Sequence, residues 1–360
     1  MIDASEILKV VPFDIIPVDD GILLSRGSIR FQIKGSDAEF IACALADLLS
    51  TPTEMGVLLE EFSEPDRENV VAIVDQLVTR GFIIAGGDID SAVSGEESPE
   101  DIFFWHFRES KDAVLEKLSE WRVFLIGVNF MTTYLTERLS RLGAQSITVI
   151  DDPTLRNHRF FDVNGQILVD PGTEVVPYES ENEWRKLIVN PDKTLLVACS
   201  DFGGARTFRL WNEFAVEERL IFMPVAMRGF RAEIGPVVRP DSGACYECYR
   251  ARENANLEER ELVRAGEELE EQSQGRLAGF VDPTLALVSG AAATQILKLL
   301  AGIALVEPSS IIYVSTMKPS LSAHKILRVP RCRVCSPTQW RPEVNLKREE
   351  FRAKLAKEQQ

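Results

Sequence analysis

Two periodicities divide this chain. Near the amino end, apolar and polar positions alternate in short runs. Asp14-Ile15-Ile16-Pro17-Val18 reads as a strand, Gly21-Ile22-Leu23-Leu24-Ser25-Arg26 as a second, and Ile29-Arg30-Phe31-Gln32-Ile33 as a third, with Gly27-Ser28 turning between the last two. Alternation in the third puts Ile29, Phe31 and Ile33 on one face and Arg30 and Gln32 on the other. A helix capped by Ser36 or Asp37 is predicted over 39–49, and a short one after Thr51-Pro52-Thr53-Glu54 with Leu58, Leu59 and Phe62 apolar. A third opens at Ser63-Glu64-Pro65-Asp66, carries Val70, Ile73, Val74 and Leu77 at helical spacing, and stops at Gly81. Residues 1–86 therefore read as a winged helix-turn-helix of three strands and three helices.

Residues 87–120 read as a linker and connecting helix: acidic and Gly/Ser-rich to Asp101, then helix-like from Ile102 to Leu118. From 121 to 340 the pattern becomes α/β. Arg122-Val123-Phe124-Leu125-Ile126 is a buried parallel strand, Thr132 to Leu142 an amphipathic helix, and Ser146 to Asp152 a strand ending in two acids. Thr194 to Asp201 is a later strand with an acid at its carboxyl end, Arg206 to Glu217 a helix and Leu220 to Val225 another strand. Glu253 to Gly275, rich in Glu and Arg, reads as a solvated helix or crossover loop; Pro283 to Leu300 as a buried Ala/Leu helix; Ile311 to Ser315 as a late strand. Residues 341–360 form a charged tail.

Charge and cysteines change this picture in two ways. The net charge of −16 opposes a phosphate backbone, and the third helix sets Asp66, Glu68 and Asp75 against Arg67 and Arg80, so no nucleic-acid partner is expected. No apolar run approaches a membrane span and no basic segment opens the chain, so a cytoplasmic protein without a membrane partner is expected. Of six cysteines, four stand in two Cys-x-x-Cys pairs, Cys245/Cys248 and Cys332/Cys335. Two such knuckles can close a tetrahedral thiolate site, which points to structural Zn2+ with no position open for catalysis.

In order along the chain, Gly127 after the first strand, Asp151-Asp152, Asn157-His158-Arg159, Cys199-Ser200-Asp201, Arg206, Asn212 and the two knuckles resemble the ThiF/MoeB fold of ubiquitin-activating-like adenylating enzymes. The expected fold class is thus α/β, a winged helix-turn-helix followed by a Rossmann-like ThiF/MoeB domain with a four-cysteine zinc site. Residues 1–86 resemble a PqqD-like recognition element, the module that binds leader peptides of ribosomally made natural products. Together they are similar to the leader-binding Ocin-ThiF type partners of YcaO cyclodehydratases, which make thiazoles and oxazoles in peptides. The resemblance implies a precursor peptide and a YcaO enzyme as partners, and a homodimer.

Active members carry Gly-x-Gly-x-x-Gly after the first strand, whose glycines let phosphate approach backbone N–H groups. Here the loop is Gly127-Val128-Asn129-Phe130-Met131-Thr132, with side chains at two of the three glycine positions. The candidate nucleotide residues are Gly127, Asp151, Arg159 and Asp201; Lys186 stands at poor spacing for the family's lysine, and no catalytic residue is assigned. The expectation is a non-catalytic protein that binds a leader through Ile29, Arg30, Phe31, Gln32 and Ile33 as strand partners, with Val70, Ile73, Val74 and Leu77 lining the groove. The alternative is an active ATP-dependent adenylating enzyme of the microcin C type, using Mg2+ and ATP.

Overall fold

The computed structural model describes residues 3–336 apart from 27–28, 36–37, 87–97, 108, 258 and 319. The Gly27-Ser28 turn, the Ser36/Asp37 cap, much of the acidic linker and the charged tail lie outside the described residues. The chain divides into two compact units, Met1–Lys117 and Leu118–Gln360.

The first unit contains β1 (Ile7–Val10), β2 (Asp14–Val18), β3 (Gly21–Arg26), β4 (Ile29–Ile33), α1 (Ala38–Leu48), β5 (Thr53–Glu54), α2 (Met55–Glu60), α3 (Arg67–Thr79), β6 (Ile83–Ala85) and α4 (Pro99–Trp105); the division falls inside α5 (Lys111–Ser119). The three expected strands occur at the expected bounds. The count of three is corrected to six among the described residues, because β5-β1-β6 form a second sheet in addition to β2-β3-β4. Pattern reading missed β1 because Leu8 and Lys9 are buried together, which breaks alternation; β5 and β6 are too short to read without the partner they pair with. Ile22, Leu24, Leu45, Val70, Val74 and Leu77 close one core. The helix-like stretch 102–118 is two helices, the first held by a capping box between Ser98 and Asp101.

Among the described residues, the second unit is built on a nine-stranded sheet. Its strands are β7 (Arg122–Ile126), β8 (Ser146–Asp151), β9 (Glu174–Pro177), β10 (Thr194–Ser200), β11 (Ile221–Phe222), β12 (Val225–Arg228), β13 (Arg231–Ile234), β14 (Ser310–Ser315) and β15 (Ser320–Lys325). Its helices are α6 (Phe130–Arg141), α7 (Glu181–Trp184), α8 (Ala205–Glu217), α9 (Tyr246–Ala255), α10 (Arg260–Ser273) and α11 (Asp282–Ala301). The order is β15-β14-β13-β12-β10-β7-β8-β9, with β11 also on β10. Strands β9, β8, β7, β10 and β12 run parallel; β13 to β15 are antiparallel. β10 is buried at every position, as a strand covered on both faces must be.

The chain steps outward from β7 to β8 and β9, then returns to the other side of β7 as β10. This is a topological switch point, and the crevice outside the carboxyl ends of β7 and β10 is where ligands bind in such sheets. The single strand expected over 220–225 is two pieces, since Pro224 has no N–H for a ladder. Contrary to expectation, α11 is long and apolar enough to cross a membrane, and 56% of its apolar window is buried inside the unit.

Candidate functional site

At the switch point, backbone donors in the first turn of α6 are taken up by acceptors from within the chain. Gly127 turns the chain at φ +102°, where a Cβ would lie 2.7 Å from Leu155 Cβ and 2.9 Å from Cys199 O, so only glycine fits. Asn129 then caps α6: its Oδ1 accepts from Thr132 N at 3.1 Å, while its Nδ2 donates to Leu155 O at 2.9 Å and Cys199 O at 2.8 Å. Thr132 Oγ1 donates to Gly127 O at 2.7 Å. Phe130 N donates to Asp201 Oδ2 at 2.9 Å, and the Phe130 ring packs edge-on against Phe160 and Phe280.

Asp201 is fully buried at the end of β10. Asn157 Nδ2 bridges its two oxygens at 3.0 and 3.2 Å. Burial pushes its carboxyl up to about 6, against the pull of Asn157 and the Phe130 N–H. Asp151 is held bidentately by Arg156, at 2.7 and 2.8 Å, and the Arg156 guanidinium stacks on Phe161. Asp152 accepts from Trp211 Nε1 at 2.8 Å and from Thr154 N at 2.9 Å.

Of the expected nucleotide residues, Gly127, Asp151 and Asp201 gather at the strand ends. Arg159 is exposed, yet its charge lies near enough to Asp201 to favour that carboxylate's ionised form, while Asp151 pairs with Arg156. Sequence reasoning missed Arg156, although it directly precedes the Asn157-His158-Arg159 segment; an arginine five residues after a strand-end acid was the available signal.

The acidic crossover is corrected from a solvated element to a docked one. Helix α10 buries Glu267 against Arg250. Its Glu271 carboxylate accepts from Thr207 N at 3.0 Å in the first turn of α8, and Glu270 lies 3.5 Å from Arg228. Beyond α10, His158 N donates to Gln274 O at 2.9 Å. A second helix N-terminus beside the crevice thus also receives a carboxylate from within the chain.

The four knuckle cysteines come together at the start of α9 and after β15. Their sulfurs all lie within 4.8 Å of one another, with Cys245–Cys332 at 3.7 Å and Cys248–Cys335 at 3.4 Å. Tetrahedral thiolates at a Zn–S length of about 2.3 Å stand roughly 3.8 Å apart, so the donor set fits a metal such as zinc. With four sulfurs bound, the metal would supply a structural tie and no open position.

The segment 157–334 matches the ThiF family. No curated protein matches the chain. Among solved structures it is similar to E. coli MccB (TM-score 0.67, 16% identity, 92% of this chain and 97% of that one). It is similar to the microcin C7 biosynthetic enzyme MccB in complex with N-formylated MccA (TM-score 0.67, 16% identity, 92% of this chain and all of that one, 100%). It is also similar to the heterocyclase TruD (TM-score 0.60, 16% identity, 92% of this chain and 43% of that one), of which it spans less than half. The structure thus defines an α/β unit whose residues 157–334 match the ThiF family, preceded in the chain by a smaller two-sheet unit and carrying four cysteines that could hold a metal such as zinc.

Proposed function

We propose that this chain binds the leader of a ribosomally made precursor peptide and presents it to a YcaO-type cyclodehydratase for thiazole or oxazole formation, without adenylating a substrate itself. The observation that carries the non-catalytic part is the Asn129 cap with Asp201 on Phe130 N: donors of α6 that would meet a phosphate are engaged inside the protein. For peptide capture the support is β4, which pairs with β3 on one side and ends the sheet on the other among the described residues. An extended peptide adds to such an edge by trading solvated N–H and C=O groups for paired ones. On this reading Ile29 to Ile33 supply the strand, Ile73 borders the groove, and the buried Val70, Val74 and Leu77 support α3 from beneath. Likeness to TruD, a heterocyclase, supports the partner assignment. Homodimerisation through the α/β unit remains part of the proposal.

A second reading, an active peptide-adenylating enzyme, is favoured by the full-length likeness to MccB, which has been solved with ATP and with its MccA peptide, and by the presence of Asp201 at the switch point. Calorimetry with a candidate precursor peptide, with and without Mg·ATP, separates the two. Leader binding without pyrophosphate release supports the first. Peptide-dependent pyrophosphate release by the chain alone, lost in Asp201→Ala, overturns it.

A further inference from the structure

The edge of β4 carries a feature that the capture reading does not use. Residues 1–86 hold fifteen Asp and Glu against six Lys and Arg, so the unit is acidic overall. Yet four of the six cations, Arg26, Arg30, Lys34 and Arg80, lie on or next to β3, β4 and the end of α3. Lys34 is paired with Asp20 at 3.4 Å, both exposed. Arg80 and Arg26 have no carboxylate partner among the described residues.

Both are held in place by other means. The Arg80 guanidinium sits 3.9 Å over the Phe31 ring and donates to Gln76 O at 3.4 Å, which fixes it beside the middle of β4. Arg26 follows Ile22 and Leu24 on the inward face of β3 and is only 5% exposed. Its Nε and Nη1 are buried without an acceptor. Its Nη2 lies against Gly81, the residue after Arg80, where a Cβ would come within 3.2 Å of it. The Arg26 guanidinium faces the Phe82 ring at 5.9 Å, which offsets part of its lost hydration but satisfies neither of these two buried donors.

We propose that Arg80, stacked on Phe31, and Arg26 behind it form a carboxylate subsite, and that the peptide captured by β4 is recognised through one Asp or Glu side chain seated there. The proposal rests on the capture reading and adds its charge specificity. Alternating side chains of an added strand face the α3 side, so the acid should recur at one fixed position between apolar neighbours two residues away.

The test pans a displayed library of random twelve-residue peptides against the immobilised full-length chain. The wild-type chain should enrich peptides with Asp or Glu at one fixed position. Arg80→Glu should weaken the selected peptides about ten- to hundredfold and shift enrichment to Lys or Arg at that position. Arg26→Met should lower the acid preference while raising the melting temperature of the peptide-free chain, because it removes an unpaired buried charge; a purely structural arginine would lower it. Enrichment of peptides without a fixed acid, or with unchanged affinity in Arg80→Glu, overturns the subsite and leaves edge capture standing. No enrichment by the wild-type chain overturns both.

Discussion

The carboxylate of Asp201, at the end of β10, accepts the backbone N–H of Phe130 at 2.9 Å, seventy-one residues earlier at the start of α6. A helix N-terminus draws negative charge to its free N–H groups. Here the chain supplies that charge itself. The same arrangement recurs at α8, where Glu271 takes Thr207 N at 3.0 Å.

If Asn129 holds the loop in this closed form, Asn129→Gly should destabilise the chain. It removes a cap and two buried hydrogen bonds, about 1–3 kcal/mol by urea denaturation, without creating ATP-dependent pyrophosphate release. Gain of turnover in that variant would show that the cap alone blocks the site.

Asp201 makes a signed pH prediction. Its folded value, about 6, lies above the ordinary carboxylate value of 3.8, so the folded state binds more protons between those limits. Stability from this group is full below pH 3.8 and is lost as pH rises through about 6, on the order of 3 kcal/mol. Asp201→Asn should flatten the stability profile over that window relative to wild type. Parallel profiles would mean that Asp201 titrates alike in the folded and the unfolded chain, against the raised value.

The knuckles should bind one zinc per chain, measurable by elemental analysis. Cys248→Ser should lose the metal and uncouple the segment around Cys332 and Cys335 from α9, with a loss of metal-linked folding energy on the order of 10 kcal/mol. Retention of stoichiometric zinc in that variant would count against a four-thiolate site.

The buried Arg250–Glu267 pair fixes α10 to α9. Glu267→Ala leaves Arg250 with only the partly exposed Glu253 and should cost about 1–3 kcal/mol, while Arg250→Met with Glu267→Leu should cost less. Equal losses would mean that packing, not the charge left short of a partner, sets the effect.

Peptide capture by a strand edge carries a period of two. N-methylation of a bound peptide at alternate residues should abolish binding in one phase and spare it in the other, because only alternate N–H groups face β4. Equal tolerance in both phases would exclude strand addition.

Much of this was legible in local sequence. The bounds of β2, β3 and β4 follow from alternation and turn residues within a few positions. The cysteine pairs are legible because Cys-x-x-Cys sets two sulfurs on one turn whatever the rest of the chain does. The glycine-poor loop was legible as a departure from a phosphate cradle. By contrast, β1 was hidden because its burial comes from two flanking strands, and α10 looked solvated because an acidic helix is soluble by composition unless buried arginines meet it. Arg156 holds Asp151, and spacing alone does not mark it as the side chain that reaches back to the strand end.

The sequence by itself determined which residues turn, cap, alternate and pair sulfurs, because those depend on neighbours a few bonds away. Only the tertiary structure decided that the donors of Phe130 and Thr207 are engaged and that those of Arg26 are not. A hydrogen bond is made or missed within about 3 Å, and which distant carboxylate arrives within that range is set by how the sheet is wound.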